Sequence, residues 1–341
     1  MEQEREPSRV SRLAGRKKPA ICVVLLVAAA ALVPAAHAGC TTSVDMDPGA
    51  RAAVERAAQS YFQMAARGDS AALRQSAVAA LAADFAPVEV AVRGHQAIFA
   101  TALLPQVRAE YLLEAEGSAP LERAEFYCGV WATPGFTVFV LNHLAPGRYA
   151  VVSLEARLGQ GAYRLSLVLA EQQQAWKLAG FYPRPAEIAG HDGKWFWDQA
   201  RTYKDKRQPR NAWFYYLTAH EMLSLVPFMS NQQLDQLGSE MPLPPQGLPA
   251  EKPVDFLAGG KVFRVAQVYV VPGDDGLQLV LQHQVADASK PGPAHAENLA
   301  LIQGWVTTYP EYREAFIAVV ARASDPAGRD YGSRVEMKDI K

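Results

Sequence analysis

The sequence predicts an α+β protein with three units: helices on an antiparallel sheet, a helical hairpin, and a small C-terminal α+β domain. Three observations support this class. Apolar residues recur at helical spacing early in the chain, strand-like runs dominate after Ala119, and a proline-rich linker at 239–253 precedes a second mixed pattern. At about 100–200 residues per domain, a chain of 341 residues allows two or three units.

Residues 1–38 have the order of a secretory signal peptide. Basic residues precede an apolar run at 20–33, and small residues at 36 and 38 form a cleavage site. The apolar run is shorter than the roughly 20 residues of a membrane-spanning helix, and Pro34 ends it. We therefore expect an exported protein, either periplasmic or anchored to a membrane as a lipoprotein.

Cys40 leaves two alternatives for the mature N-terminus. Residues 38–40, Ala-Gly-Cys, resemble a bacterial lipoprotein signal, which implies a lipid on Cys40 as the one membrane attachment. His37 departs from that signal, where an apolar residue is expected. If cleavage instead follows Ala38, a disulfide between Cys40 and Cys128 is available in an oxidising compartment.

The first unit, 48–188, begins with helices and continues with strands. Val54 and Tyr61 share the apolar stripe of the first predicted helix. Five β-rich runs follow, and their alternation predicts one apolar and one wet face, with Ser153 and Glu155 on the wet face. We expect the helices to cover the apolar face.

Two stretches of this unit, "AAQSYFQMAARGDSAALRQ" and "YRLSLVLAEQQQAWKLAGFYPRP", resemble the NTF2-like (SnoaL-like) fold. The resemblance implies a cone of helices on a curved antiparallel sheet, whose cup either holds a ligand or is filled by side chains. Such domains are enzymes in some proteins and binding modules in others, and no motif assigns catalytic residues here. The candidates for a wet pocket are Tyr127, Trp131, His143 and Glu155. We expect Glu155 to pair across strands and His143 to lie in a loop.

Residues 189–240 predict two helices around "QPRN", which form a helical hairpin with an apolar seam for a neighbouring element. Aromatic and basic side chains crowd this segment between Trp195 and Trp213. They suggest a site for an anionic polymer or a glycan. Aromatic residues at helical spacing are more typical of a core, and surface charge runs usually have no specific partner, so we favour a structural role.

The C-terminal unit, 254–341, predicts a ββαββ layer. His283 falls in the apolar register of a strand and is expected to be a core residue rather than a ligand. The acidic residues expected to favour turns, because they lack the spacing of a calcium loop, are Asp274, Asp275, Asp325 and Asp330.

Composition and motifs exclude some functions without assigning one. The 34 basic and 35 acidic residues do not indicate a nucleic-acid partner. Nothing indicates a catalytic residue, a cofactor or a metal site, and the ligand-binding residues stay unassigned. We expect an exported, non-enzymatic envelope protein that binds a small apolar ligand or a protein. The alternatives are a small-molecule hydrolase or isomerase that uses the mouth of the cone, and a homodimer formed through the helical hairpin.

Overall fold

The computed structural model describes residues 38–102, 105–158, 161–249 and 252–341. The predicted signal peptide lies, up to residue 37, outside the described residues. The α-helices of the described part are α1 (Pro48–Ala66), α2 (Ser70–Gln75), α3 (Ala79–Ala83), α4 (Ala86–Ala100), α5 (Gly193–Asp205), α6 (Pro209–Leu223), α7 (Gln232–Glu240) and α8 (Pro291–Thr308). Its strands are β1 (Ala38–Thr42), β2 (Gln106–Ala115), β3 (Leu121–Cys128), β4 (Thr137–Leu144), β5 (Gly147–Leu158), β6 (Gly161–Gln172), β7 (Ala175–Pro185), β8 (Met229–Asn231), β9 (Val254–Ala258), β10 (Lys261–Gly273), β11 (Gly276–Gln284), β12 (Ala318–Ser324) and β13 (Asp330–Glu336).

The N-terminal helices pack on one face of an antiparallel sheet with the order β1-β2-β5-β6-β7. Val54 and Tyr61 of α1 share a core with Leu167 of β6. The predicted arrangement, amphipathic helices over the apolar face of an antiparallel sheet, is therefore confirmed. The space between α1 and this sheet is occupied by side chains, among them Phe62 at 4% and Leu165 at 0% exposure.

The hairpin of β6 and β7 turns at Gln173 and Gln174. Both residues have positive φ, at 52° and 63°, as a type I′ turn requires. This turn lies within the polar stretch "EQQQ", so the predicted hairpin is confirmed.

The second face of the central sheet is not wet, and the prediction for Ser153 is wrong, since this residue is fully buried. The sequence predicts that β3 and β4 belong to the same sheet as β5, β6 and β7, and this prediction is wrong. The two strands form a separate layer with the order β3-β4-β8, which packs on this face of the central sheet. The end of α6 also reaches the face, where Arg164 donates to the carbonyl of Met222 at 2.7 Å.

The helical hairpin of α5 and α6 shares one core with the C-terminal unit. That unit is a sheet with the order β13-β12-β11-β10-β9, in which α8 connects the parallel strands β11 and β12. Phe196, Trp197 and Tyr203 of α5 are buried in this core, which confirms the structural interpretation of the aromatic residues. Three of the neighbouring cations also have partners. Lys206 pairs with Glu314 at 2.8 Å, Lys204 donates to the carbonyl of Glu240, and Arg210 donates to the carbonyl of Gln246.

The edge strand β1 is held by pairing with β2 and by a disulfide from Cys40 to Cys128 at the end of β3. A lipid thioether requires the sulfur of Cys40 that this disulfide uses. The two alternatives for Cys40 therefore exclude each other in one molecule. Among the described helices, none is both long enough and apolar enough to cross a membrane.

Candidate functional site

A cleft of about 790 Å³ lies where the turn before α5, the β10–β11 hairpin and the segment before β12 meet. We call it the His191 cleft. Its polar and aromatic lining residues include His191, Trp195, Tyr203, Asp274, Asp275 and Glu314. The volume falls within the roughly 300–1,000 Å³ of sites that bind small molecules.

A tight turn presents His191 to this cleft. The backbone N–H of Ile188 donates to the carbonyl of His191 at 2.9 Å, and the N–H of His191 donates back at 3.0 Å. Ala189 within the turn has φ 51°, a left-handed conformation that costs a non-glycine residue about 1–2 kcal/mol. Strain of this size persists only where the surrounding structure imposes it, and it often marks functional sites.

The imidazole of His191 stacks on the indole of Trp195, with ring centroids 3.8 Å apart and planes 10° apart. Trp195 is fixed in turn because Asp192 caps α5 and accepts the Trp195 N–H at 2.9 Å. The stacked pair forms an ordered wall of the cleft.

Two acidic side chains stand in the hairpin that forms another wall. Asp274 and Asp275 are exposed, and neither forms an ion pair with any other described residue. The carboxylate of Glu314, by contrast, accepts from Lys206 at 2.8 Å and from Gln208 at 2.7 Å. The bond from Lys206 holds the pKa of Glu314 below its usual value. Arg313 also lines the cleft, and its guanidinium donates to the backbone carbonyls of Ile340 and Lys341. Three lining carboxylates against this one guanidinium leave the cleft with a net negative charge.

The aromatic floor of the cleft is tied to the backbone. The Tyr203 hydroxyl donates to the carbonyl of Glu314 at 3.0 Å, and the Tyr215 hydroxyl donates to the carbonyl of Ala315 at 2.8 Å. Burial raises the pKa of both hydroxyls, so they stay protonated. These groups shape the cleft, and their donor protons are already used.

The structure brings together two of the four residues that we considered for a wet pocket. Tyr127 and Trp131 line a groove of about 490 Å³ beside β8 and α7, away from the core under α1. His143 is exposed and lies within β4, one residue before its end, so the prediction that it lies in a loop is wrong. Its φ is 53°. Glu155 pairs with Arg108 of the neighbouring strand at 2.9 Å, as expected.

The prediction that His283 is a core residue is confirmed. It is 1% exposed, and its Nε2 donates to Asn298 Oδ1 at 2.7 Å. Burial lowers the pKa of His283, which favours the neutral ring. The turn role is confirmed for Asp325, which accepts the backbone N–H groups of Ala288 and Arg329, each at 3.0 Å.

The sequence did not single out His191, and it gave Asp274 and Asp275 only a turn role. No motif spacing connects these positions, because they meet only after the C-terminal sheet packs on α5 and α6. The available signals were the stretches "AGHDG" and "PGDDG", which read as ordinary turns. Within the described ranges, no cluster of three or more Cys, His, Asp or Glu side chains is arranged to hold a metal ion.

Comparison of the chain with protein-family models, with curated proteins and with solved structures found no match.

Proposed function

We propose that this chain is an exported, non-enzymatic binding module whose His191 cleft takes a small organic cation. The observation that carries the proposal is the pair of carboxylates, Asp274 and Asp275, in a cleft of about 790 Å³ that the ordered His191–Trp195 stack also lines. Although Arg313 also lines the cleft, the carboxylates outnumber it, and a net negative lining concentrates cationic ligands.

The ligand chemistry in this proposal differs from the apolar ligand expected from sequence. The cup between α1 and the central sheet, where an apolar ligand was expected, is filled by side chains such as Phe62 and Leu165. The His191 cleft instead has charged walls, which favour a polar ligand. An ammonium group between Asp274 and Asp275 satisfies carboxylates that have no cationic partner within the described part of the chain.

Export is part of the proposal. The arrangement of residues 1–38 supports it, and so does the disulfide between Cys40 and Cys128, because disulfides persist mainly in oxidising compartments. The NTF2-like resemblance remains a proposal for the fold of the first unit. It is supported by the helices on an antiparallel sheet and does not bear on the His191 cleft.

Calorimetric titration with a panel of small amines and quaternary ammonium compounds tests the proposed ligand class. We expect at least one to bind, and the double variant Asp274→Asn with Asp275→Asn to weaken it by about tenfold or more, which is about 1.4 kcal/mol. The loss follows from removing the two negative charges at an exposed turn that carries no core packing.

The matched control is the double variant Glu116→Gln with Glu122→Gln, which removes two exposed carboxylates outside the cleft. It is expected to bind the same cation with unchanged affinity. The proposal is wrong if no cation in the panel binds, or if both double variants weaken binding equally, because that result indicates only a general charge effect.

A buried carboxylate favours a second candidate function, a hydrolase or isomerase in the first unit. Glu110 of β2 is 2% exposed, and Arg51 Nε lies 3.2 Å from its Oε2 and 3.0 Å from Glu55 Oε1. Burial and the neighbouring Glu55 raise the pKa of Glu110 to about 7, a value suited to a general acid or base. Because both Glu110 oxygens are closed off from solvent, we rank this function second. Screening the wild type against small-molecule substrates tests this function. We expect any hydrolase or isomerase activity that is found to be lost in Glu110→Gln.

A further inference from the structure

A second concavity lies on the opposite side of β3 and β4 from their buried core, and it is independent of the His191 cleft. This aromatic groove, of about 490 Å³, is formed by Tyr127, Trp131, Phe136, Asn231 and Asp235. Trp131 is 75% exposed and Tyr127 is 53% exposed. Large aromatic side chains exposed together in a groove commonly mark a binding surface.

The three rings form an ordered surface. Phe136 lies between the other two, with its ring centroid 6.2 Å from that of Tyr127 and 4.9 Å from that of Trp131. The planes of Phe136 and Tyr127 are 19° apart, so these rings are nearly parallel, whereas Trp131 meets Phe136 at 74°. The groove therefore offers one broad aromatic face and one indole set across it.

The loop between β3 and β4 is built to hold Trp131 outward. The Thr133 hydroxyl donates to the carbonyl of Val130 at 2.7 Å, and the Phe136 N–H donates to the carbonyl of Thr133 at 3.0 Å. Ala132, next to Trp131, has φ 63°, which is unfavourable for a residue with a Cβ. A strained and internally bonded loop that exposes an indole is difficult to explain by folding stability alone.

The rim of the groove supplies uncharged and acidic polar groups. Asn231 uses its Oδ1 to cap α7 through the Leu234 N–H at 2.8 Å, and its Nδ2 has no partner among the described residues. Asp235 accepts from Ser230, and Glu125 accepts from the Tyr127 hydroxyl and from Arg123. Two carboxylates against one guanidinium make the site unfavourable for an anionic polymer or an anionic membrane surface.

We propose that the aromatic groove binds a neutral oligosaccharide, with a sugar ring on Trp131. The C–H face of a pyranose is apolar and slightly positive, so it matches the negative face of an aromatic ring. A sugar hydroxyl accepts a hydrogen bond from the Nδ2 group of Asn231 and donates one to the carboxylate of Asp235. An apolar protein partner would bury the Nδ2 group of Asn231 and the second carboxylate oxygen of Asp235 without hydrogen bonds.

Titration of the full chain with neutral hexasaccharides of glucose and of N-acetylglucosamine, and with an acidic polyuronate, tests the proposal. We expect at least one neutral sugar to bind and the polyuronate not to bind. Trp131→Ala is expected to weaken sugar binding by about tenfold or more, and Trp131→Phe, which keeps a smaller ring, to fall between. Because the indole is exposed, its removal leaves the core intact, which thermal unfolding verifies.

The matched control is Leu257→Ala, which trims another exposed apolar side chain, 67% exposed, on β9. It is expected to leave sugar affinity unchanged. The proposal is overturned if no neutral sugar binds, if Trp131→Ala binds as tightly as the wild type, or if the polyuronate binds better than the neutral sugars. It is also overturned if sedimentation shows a dimer that Trp131→Ala dissociates, because a second copy then covers the groove.

Discussion

Glu110 lies beneath α1, where it shares the guanidinium of Arg51 with Glu55. Burial is the main cause that raises the pKa of Glu110, and repulsion from Glu55 adds to it because one guanidinium serves two carboxylates. Its pKa is about 7 in the folded protein, against about 4.5 for an ordinary glutamate. The folded state thus binds this proton more tightly than the unfolded chain does. The resulting stability is complete below about pH 4.5 and is lost as the pH rises through about 7.

Glu110→Gln removes this loss, because a neutral amide has no charge to desolvate. We expect the variant to have a higher free energy of unfolding than the wild type at pH 8, by about 1–3 kcal/mol, and to differ by less than about 1 kcal/mol at pH 5. Urea unfolding at both pH values measures the difference. The exposed control Glu116→Gln is expected to leave the pH dependence unchanged. A variant less stable than the wild type at pH 8 contradicts the assignment.

At single positions, the sequence is informative where burial repeats with a regular period. The alternation of Leu165, Leu167 and Leu169 identified the core face of β6, and the apolar register of His283 identified a buried side chain. His191 and Asp274 belong to no such period. Their proximity depends on two distant turns that meet only in the folded protein.

At the scale of elements, β2 shows the limit of local pattern. Its sequence, "QVRAEYLLEA", is rich in residues that favour helices, and we predicted no strand there. The strand exists because it pairs with β1 on one side and with β5 on the other. Strand formation depends on such neighbours more than on intrinsic preference.

The close approach of α8 to β9 depends on Gly304. A Cβ added at Gly304 lies 2.2 Å from the Cβ of Ala258, closer than two carbon atoms can approach. Gly304→Ala gains helix propensity but forces the helix away from the strand. We expect a net loss of about 1–3 kcal/mol in the free energy of unfolding, measured by chemical denaturation.

Gly238→Ala in α7 is the matched control, because an added Cβ there meets nothing within 4 Å. It is expected to keep or raise stability by up to about 1 kcal/mol, through helix propensity alone. If the two variants change stability by the same amount and sign, Gly304 does not set the packing of α8 on β9.

At the scale of the whole molecule, the described residues form three hydrophobic cores, which pack against two five-stranded sheets and one three-stranded sheet. The sequence predicted helices on a sheet, a helical hairpin and a ββαββ layer in this order. It missed β9, an edge strand that makes the C-terminal layer βββαββ. It did not predict that the hairpin and the C-terminal sheet share one core, or that β3, β4 and β8 form a second layer. Those contacts are between segments far apart in sequence, and no local period records them.

The disulfide between Cys40 and Cys128 joins the central sheet to this second layer across 88 residues. A cross-link over a loop of this length typically contributes about 2–5 kcal/mol, chiefly by restricting the unfolded chain. We expect a reductant to lower the free energy of unfolding of the wild type by that amount. The double variant Cys40→Ser with Cys128→Ser is expected to be insensitive to the reductant. A wild type whose stability does not change on reduction contradicts a structural role for the bond.

Both binding proposals rest on the proposal that the protein is exported and closed by the disulfide, and its intact mass is the most direct test of that state. The protein is recovered unreduced from cells that make the full-length chain and is treated with a thiol-alkylating agent. We expect a chain that begins at Gly39 and carries no alkyl group on Cys40 or Cys128. A chain that retains residues 1–38, a lipid on Cys40, or alkyl groups on both cysteines would contradict it.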